Sequence, residues 1–184
     1  MAWFHKKPRA IPTGENFLDY MQKHVFDAMG LAHTAADQNR QIVGQRSRFY
    51  EKEKDGTMEN APYVDNSYKW AGGGFLSTSE DLVRFGSMLL EPGFLKAESL
   101  KLLFTSQKTK SGEETGYGMG WEIAKSPSGR VVYEHSGGSI GGSSQLIVYP
   151  ETRVVVALVT NLTSREWKPA EVEEVAEKFE SGKK

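Results

Sequence analysis

Cysteine is absent from the chain. That excludes disulfides, thiolate catalysis and cysteine-ligated zinc, and it leaves the redox compartment unread. An excess of one charge is also lacking: 23 Lys and Arg stand against 24 Asp and Glu, for a formal net charge of -1. Near-neutrality removes the electrostatic case for nucleic acid as a partner. Long hydrophobic runs are missing too. The longest, Val154-Val155-Val156-Ala157-Leu158-Val159, is far short of the ~20 residues of a membrane-spanning helix, so no span is expected. Histidine is sparse. His5, His24, His33 and His135 are scattered, with no H-E-x-x-H, so neither a metal nor another cofactor is expected. What is present suits one domain: 184 residues, 38% hydrophobic, enough to bury a core.

The chain opens MAWFHKKPRAIP, with Lys6, Lys7 and Arg9 and no acid before Glu15. It lacks the apolar core of a secretory signal, so residues 1–13 read as an irregular leader, with a shortened organelle presequence as the alternative. Residues 14–30 then read as a helix. Phe17, Leu18, Met21, Val25 and Met29 share a face, Thr13 is placed to cap the start, and Gly30 fits the position after the end. Residues 31–71 are polar and turn-rich, with Asp55-Gly56 marking a hairpin turn.

Ala71-Gly72-Gly73-Gly74 predicts no regular element. Ser77-Thr78-Ser79-Glu80 has the form of a capping box, and an amphipathic helix through Leu82, Val83, Phe85, Met88 and Leu89 runs on to Pro92-Gly93. Residues 97–104 predict a further short helix. From Tyr117 the pattern changes to four β-branched and aromatic runs, YGMGWEIA, RVVYEH, SSQLIVY and RVVVALVT, separated by turn residues: an antiparallel meander. The run 154–159 does not alternate, which predicts a central strand covered on both faces. Residues 168–181 predict a closing helix with Val172, Val175, Ala176 and Phe179 on one side. Fold class is therefore α+β, helices packed on an antiparallel sheet.

Four short motifs touch on chemistry. Gly137-Gly138-Ser139-Ile140-Gly141 matches G-x-S-x-G, but a strand follows and no His lies downstream, so a nucleophile elbow is rejected. Ser181-Gly182-Lys183-Lys184 matches S-x-x-K at the last four residues, a poor place for a buried nucleophile. Lys110-Ser111-Gly112 resembles a K-T-G strand motif inside a polar run that reads as loop. Glu134-His135-Ser136-Gly137-Gly138-Ser139 is the cluster that survives. Small residues after His135 leave a strand edge open, where backbone N–H groups meet a substrate carbonyl. The competing reading is a tight glycine turn.

Together these residues resemble serine beta-lactamase-related proteins, the family of class C beta-lactamases, DD-peptidases and related esterases. Residues 134–161 resemble its C-terminal sheet. Ala71-Gly72-Gly73-Gly74-Phe75-Leu76-Ser77-Thr78 with Asp81-Leu82 and Arg84-Phe85-Gly86 resembles its A-G-G-x-x-S-T-x-x-D-L segment. Residues 16–34 resemble its helix ending in P-L-G-M-x-x-T, and EKEKDG with APYVDNSYKWAGGGFLST is most similar to the animal mitochondrial branch, which implies a mitochondrial setting. The resemblance implies a partial beta-lactamase/transpeptidase-like fold: residues 14–181 as the C-terminal part of such a domain, 182–184 as tail.

It also implies roles. His135-Ser136-Gly137 matches the strand motif, so Ser136 offers its hydroxyl to substrate, Gly138 supplies an oxyanion N–H, and His135 stands where the family has Lys. The family's Y-x-N is absent, Tyr63-Val64-Asp65 being nearest, and no internal S-x-x-K occurs. The expectation is a catalytically incomplete fragment. The run Val154 to Val159 then becomes an exposed sheet edge for self-association or for pairing with a full-length homologue.

Overall fold

Asn16 lies in extended backbone and its side chain accepts the Leu18 N–H at 2.9 Å, which starts the first helix, α1 (Phe17–Met21). The structure is a computed structural model that describes residues 13–181. Most of the leader, His5 and the tail after Ser181 lie outside the described residues. Thr13, the expected cap, lies too far upstream, with Gly14 between at φ +81. After α1 the chain takes a π-helical turn over Gln22–Phe26 and returns to α-helix in α2 (Asp27–Met29). Gly30, left-handed at φ 67, ends it as expected. Phe26 and Met29 are buried, and Phe26 meets Phe75 edge-on at 5.4 Å.

Strand β1 (Ala35–Ala36) returns later in the chain to a partner, β4 (Phe75–Leu76). Between them β2 (Tyr50–Lys52) and β3 (Met58–Asn60) form the hairpin expected at Asp55-Gly56, with Gly56 at φ +92. The glycine run departs from expectation, because Trp70–Gly72 closes one 3-10 turn. Helix α3 (Ser79–Leu90) is capped by Thr78, not Ser77: Thr78 is the extended residue, and its side chain accepts the Asp81 N–H at 3.2 Å. The cap is therefore displaced by one position. Asp81, buried inside the first turn of α3, accepts the His33 N–H at 2.8 Å and the Thr34 hydroxyl at 2.7 Å. That carboxylate ties the segment after α2 to α3. Helix α4 (Ala97–Leu103) follows.

The meander is present as read. Strands β5 (Glu122–Lys125), β6 (Val131–Ser139), β7 (Gly142–Tyr149) and β8 (Val154–Thr160) lie antiparallel in that order. Alternation sends Tyr133, Leu146, Val148 and Val155 to one face, against Phe26, Leu89 and Trp121. It sends Val132, Ile147, Tyr149, Val154 and Val156 to the other, against helix α5 (Pro169–Ser181). On the first face Gly86 of α3 sets the approach: a Cβ there would stand 2.7 Å from Val155 Cγ1. Strand β8 is covered on both faces, which explains its unbroken apolar run. Among the described residues it is the outer strand of the sheet and not a central one, paired with β7 alone.

Helix α5 buries Val172 and Ala176, whereas Val175 and Phe179 are exposed, so its apolar face is narrower than the spacing suggested. Charge completes the docking. Glu173 accepts from the hydroxyls of Ser126 (2.6 Å) and Ser128 (2.5 Å) and from Arg130 Nη2 (3.0 Å), while Arg130 Nη1 also reaches both oxygens of Glu180. Breaking one side of such a buried pair costs about 3–5 kcal/mol.

Burial by itself raises the Glu173 pKa; the two serines, Arg130 and the Ser128 N–H outweigh it and hold the carboxyl at about 2, against 4.5 for an ordinary Glu. The stabilisation is complete above the unfolded value and is lost as pH falls from 4.5 toward about 2. The melting temperature should drop through that window, and Glu173→Gln should lower it at neutral pH and flatten the acid decline, as calorimetry across pH would measure.

Candidate functional site

Strand β5 ends its pairing at Glu122↔Glu134, but β6 continues. From His135 to Ser139 it pairs with β7 alone, through His135↔Leu146 to Ser139↔Gly142. Of the two readings of this cluster the strand is the one observed, not the tight glycine turn: the turn is Ile140-Gly141, with Gly141 at φ +77. A Cβ on Gly141 would collide with Phe49, and its N–H donates to Thr163 Oγ1 at 2.7 Å, so the hairpin end is fixed. Strand β7 follows Ser139 after this two-residue turn, with no helix after it, which agrees with rejecting the elbow.

Alternation along β6 divides the cluster. His135, Gly137 and Ser139 share the face that carries Tyr133; Ser136 and Gly138 share the opposite one. His135 is exposed. Its Nδ1–H donates to the Ser136 carbonyl at 2.6 Å, and its ring meets Tyr117 edge-on at 6.1 Å. With a carbonyl as partner Nδ1 must be the donor, so the neutral ring keeps its lone pair on Nε2. A Cβ on Gly137 would sit 2.5 Å from Ser144 Oγ, so the pairing there is close, whereas at Gly138 it would meet nothing within 4 Å. Ser139 Oγ accepts from Lys69 Nζ at 3.4 Å. A cleft of about 750 Å³ opens beside this stretch, with Gly137 to Ser139, His33, Ser77 and Thr78 among the residues that line it. Burial raises the neighbouring Glu134 carboxyl above the usual range, Gln145 at 3.2 Å opposing and Glu122 across the ladder adding.

The remaining motifs stand elsewhere. Ser181 ends α5, beneath the sheet face that His135 does not share. Lys110-Ser111-Gly112 lies in a turn closed by the Lys108↔Glu114 bridge. Tyr63 is an exposed loop residue. A grouping that sequence reasoning missed is His33, Asp81 and Ser77. Thr34 stands between Ser77 (2.8 Å) and Asp81 (2.7 Å), and His33 Nδ1 is 3.9 Å from Asp81, so the group works as a clamp and not as a relay. Tyr117 and Lys69 were missed as neighbours of the strand motif. Lys69 is seventy positions from Ser139 and no local pattern joins them. Among the described residues no three of His, Asp and Glu converge on a metal position, and no helix is long and apolar enough to cross a membrane.

Residues 10–178 match the Beta-lactamase family. The chain belongs to that family. Serine beta-lactamase-like protein LACTB, mitochondrial, from Bos taurus is 35% identical over 178 residues, covering 83% of this chain and 32% of the bovine protein. The chain therefore spans about a third of the length of that relative. The D-stereospecific amidohydrolase from Streptomyces sp. superposes with a TM-score of 0.72 at 22% identity, over 89% of this chain and 49% of that one. The octameric penicillin-binding protein homologue from Pyrococcus abyssi superposes at 0.71 and 23%, over 93% and 39%. The beta-lactamase/transpeptidase-like fold expected from the sequence is the fold observed.

The His135 geometry carries its own test. Long-range proton–nitrogen correlation spectra of the neutral imidazole should show the Nδ1–H tautomer; a dominant Nε2–H form would contradict the Ser136 hydrogen bond.

Proposed function

We propose that this chain carries the substrate-holding strand of an acyl-serine hydrolase and is catalytically incomplete by itself. The observation that supports this is the one-sided stretch from His135 to Ser139 beside the cleft. In this reading an extended acyl substrate lies along the open edge of β6. Gly138 supplies an N–H to the carbonyl oxygen, Ser136 offers its hydroxyl from the other face, and His135 orients the substrate through Nε2. An oxyanion donor lowers a barrier only when a nucleophile attacks the carbonyl it holds.

In this reading no residue among those described serves as that nucleophile. The chain has no Y-x-N, and its S-x-x-K serine ends a helix on the far side of the sheet. Ser139 Oγ accepts a hydrogen bond from the Lys69 ammonium at 3.4 Å, and an ammonium has no lone pair with which to take the serine proton. A chromogenic beta-lactam, an ester and a fluorogenic peptide should all turn over at background rates, and intact mass after a fluorophosphonate probe should be unchanged. Turnover abolished by Ser139→Ala, or a covalent adduct on any serine, would overturn the proposal. Within a longer polypeptide that brings a nucleophile and base to the cleft, the same strand serves an active serine peptidase. The mitochondrial setting of the bovine relative is extended to this chain as part of that reading.

A second reading is favoured by the outer strand. Among the described residues no strand pairs with the free side of β8 from Val154 to Val159, and that run contains neither Pro nor Lys. Phe179 of α5 is also exposed. In this reading the edge pairs with a second copy or with a full-length homologue. Sedimentation should show concentration-dependent association that Val159→Lys weakens; a monodisperse monomer at every concentration would exclude it.

A further inference from the structure

Ser128 stands at the exposed tip of the hairpin between β5 and β6. The turn is closed by the Ser126 N–H on the Arg130 carbonyl at 2.9 Å and the Gly129 N–H on the Ser126 carbonyl at 2.8 Å. Ser128 is also a junction. Its N–H and its hydroxyl both donate to Glu173 of α5, at 3.0 and 2.5 Å, and its oxygen accepts from Arg130 Nε at 3.2 Å. An exposed residue thus touches both halves of the ion pair that docks α5. Its neighbour Ser126 is buried, so Ser128 is the hydroxyl that a modifying enzyme meets.

The contact with Glu173 is favourable because the hydroxyl gives the carboxylate a hydrogen bond. A phosphate ester reverses that. The ester oxygen has no proton to give, and the group adds about two negative charges at neutral pH on oxygens that accept. It repels Glu173 and attracts Arg130. Nε and Nη2 can fork onto a phosphate, and both serve Glu173 Oε1, at 3.4 and 3.0 Å. The guanidinium lies 4.8 Å from the centre of the Tyr149 ring, so it is held where it can change partner with little movement. Glu173, 5% exposed, then loses its cation, the unfavourable result of breaking a buried pair. The buried apolar contact of α5, Val172 and Ala176, is narrow and does not compensate. Glu180 keeps Arg130 Nη1 and the Thr152 hydroxyl, each at 2.7 Å, so the helix hinges at its last turn.

We propose that Ser128 is a phosphoacceptor, and that its phosphate takes Arg130 from Glu173 and frees the first turns of α5 from the sheet. A protein serine kinase with a nucleoside triphosphate supplies the group. The bond from Ser128 Oγ to the γ-phosphorus forms and the bond from that phosphorus to the β–γ bridging oxygen breaks. The nucleoside diphosphate leaves, and the hydroxyl proton passes to the kinase.

Hydrogen exchange of the full chain, with phosphoserine installed at position 128 during translation, tests the switch. Amides from Val172 to Ala176 should exchange at least about a hundredfold faster than in the unmodified chain. Those of α3, on the opposite face of the sheet, should be unchanged. Ser128→Ala, which removes the hydroxyl without adding charge, should have a far smaller effect. In Glu173→Gln there is no carboxylate to expel, so phosphoserine should add little. Exchange in α5 unaffected by the phosphate, quickened equally in α3, or quickened as much in the Glu173→Gln background overturns the switch. Purified serine kinases with ATP should phosphorylate Ser128 in the native chain, as peptide mass mapping would show. Phosphate at Ser128 only after heat unfolding, or none there at all, overturns its role as acceptor.

Discussion

Strand β6 is longer than the strand beside it. It runs for nine residues and β5 for four, so the ladder between them closes at Glu134 and the rest of β6 has a partner on one side. Unpaired backbone N–H and C=O groups on such a stretch must find water or a ligand. Each feature of the candidate site follows from that mismatch. His135 is the first residue past it, Gly137 lets β7 approach through Ser144, and Gly141 holds the far end against Phe49 and Thr163. Strand β5 could not be extended to cover this edge without removing the site.

The rest of the molecule keeps β6 in place by packing both faces of its sheet. On one face α3 comes close because Gly86 has no side chain to meet Val155. On the other, α5 has a narrow apolar contact, Val172 and Ala176, and relies on Glu173 and Arg130 for the rest. The two faces are thus held by different physics: close hydrophobic packing above, a hydrogen-bonded ion pair below. Acid conditions act on the second and spare the first. The Asp81 clamp adds a third tie, between the segment leaving α2 and the start of α3, and positions one wall of the cleft.

Much of this was legible in the residues. The four strands, their order as a meander and the helices over 79–90, 97–103 and 169–181 follow from hydrophobic period and turn residues, which are local properties. The misplacements are informative. Thr78 caps in place of Ser77 because the choice between adjacent hydroxyl residues depends on which is extended. A tight turn competed with a strand for His135 to Ser139 because glycine is a poor strand former in isolation, yet β7 lies alongside and completes the ladder. Strand β8 read as central because apolar character reports coverage of the faces and says nothing about the edge.

By itself the sequence determined the class of fold, the family likeness, the candidate strand motif and the absence of Y-x-N, since each is written in contiguous residues. Only the tertiary structure decided which residues meet. It set His135 and Ser139 on one face and Ser136 on the other, placed Tyr117 against the His135 ring, and carried Lys69 to Ser139. The reason is that strand register and loop closure act between residues far apart in the chain, and no local pattern records the distance between two side chains that neighbour each other only after folding.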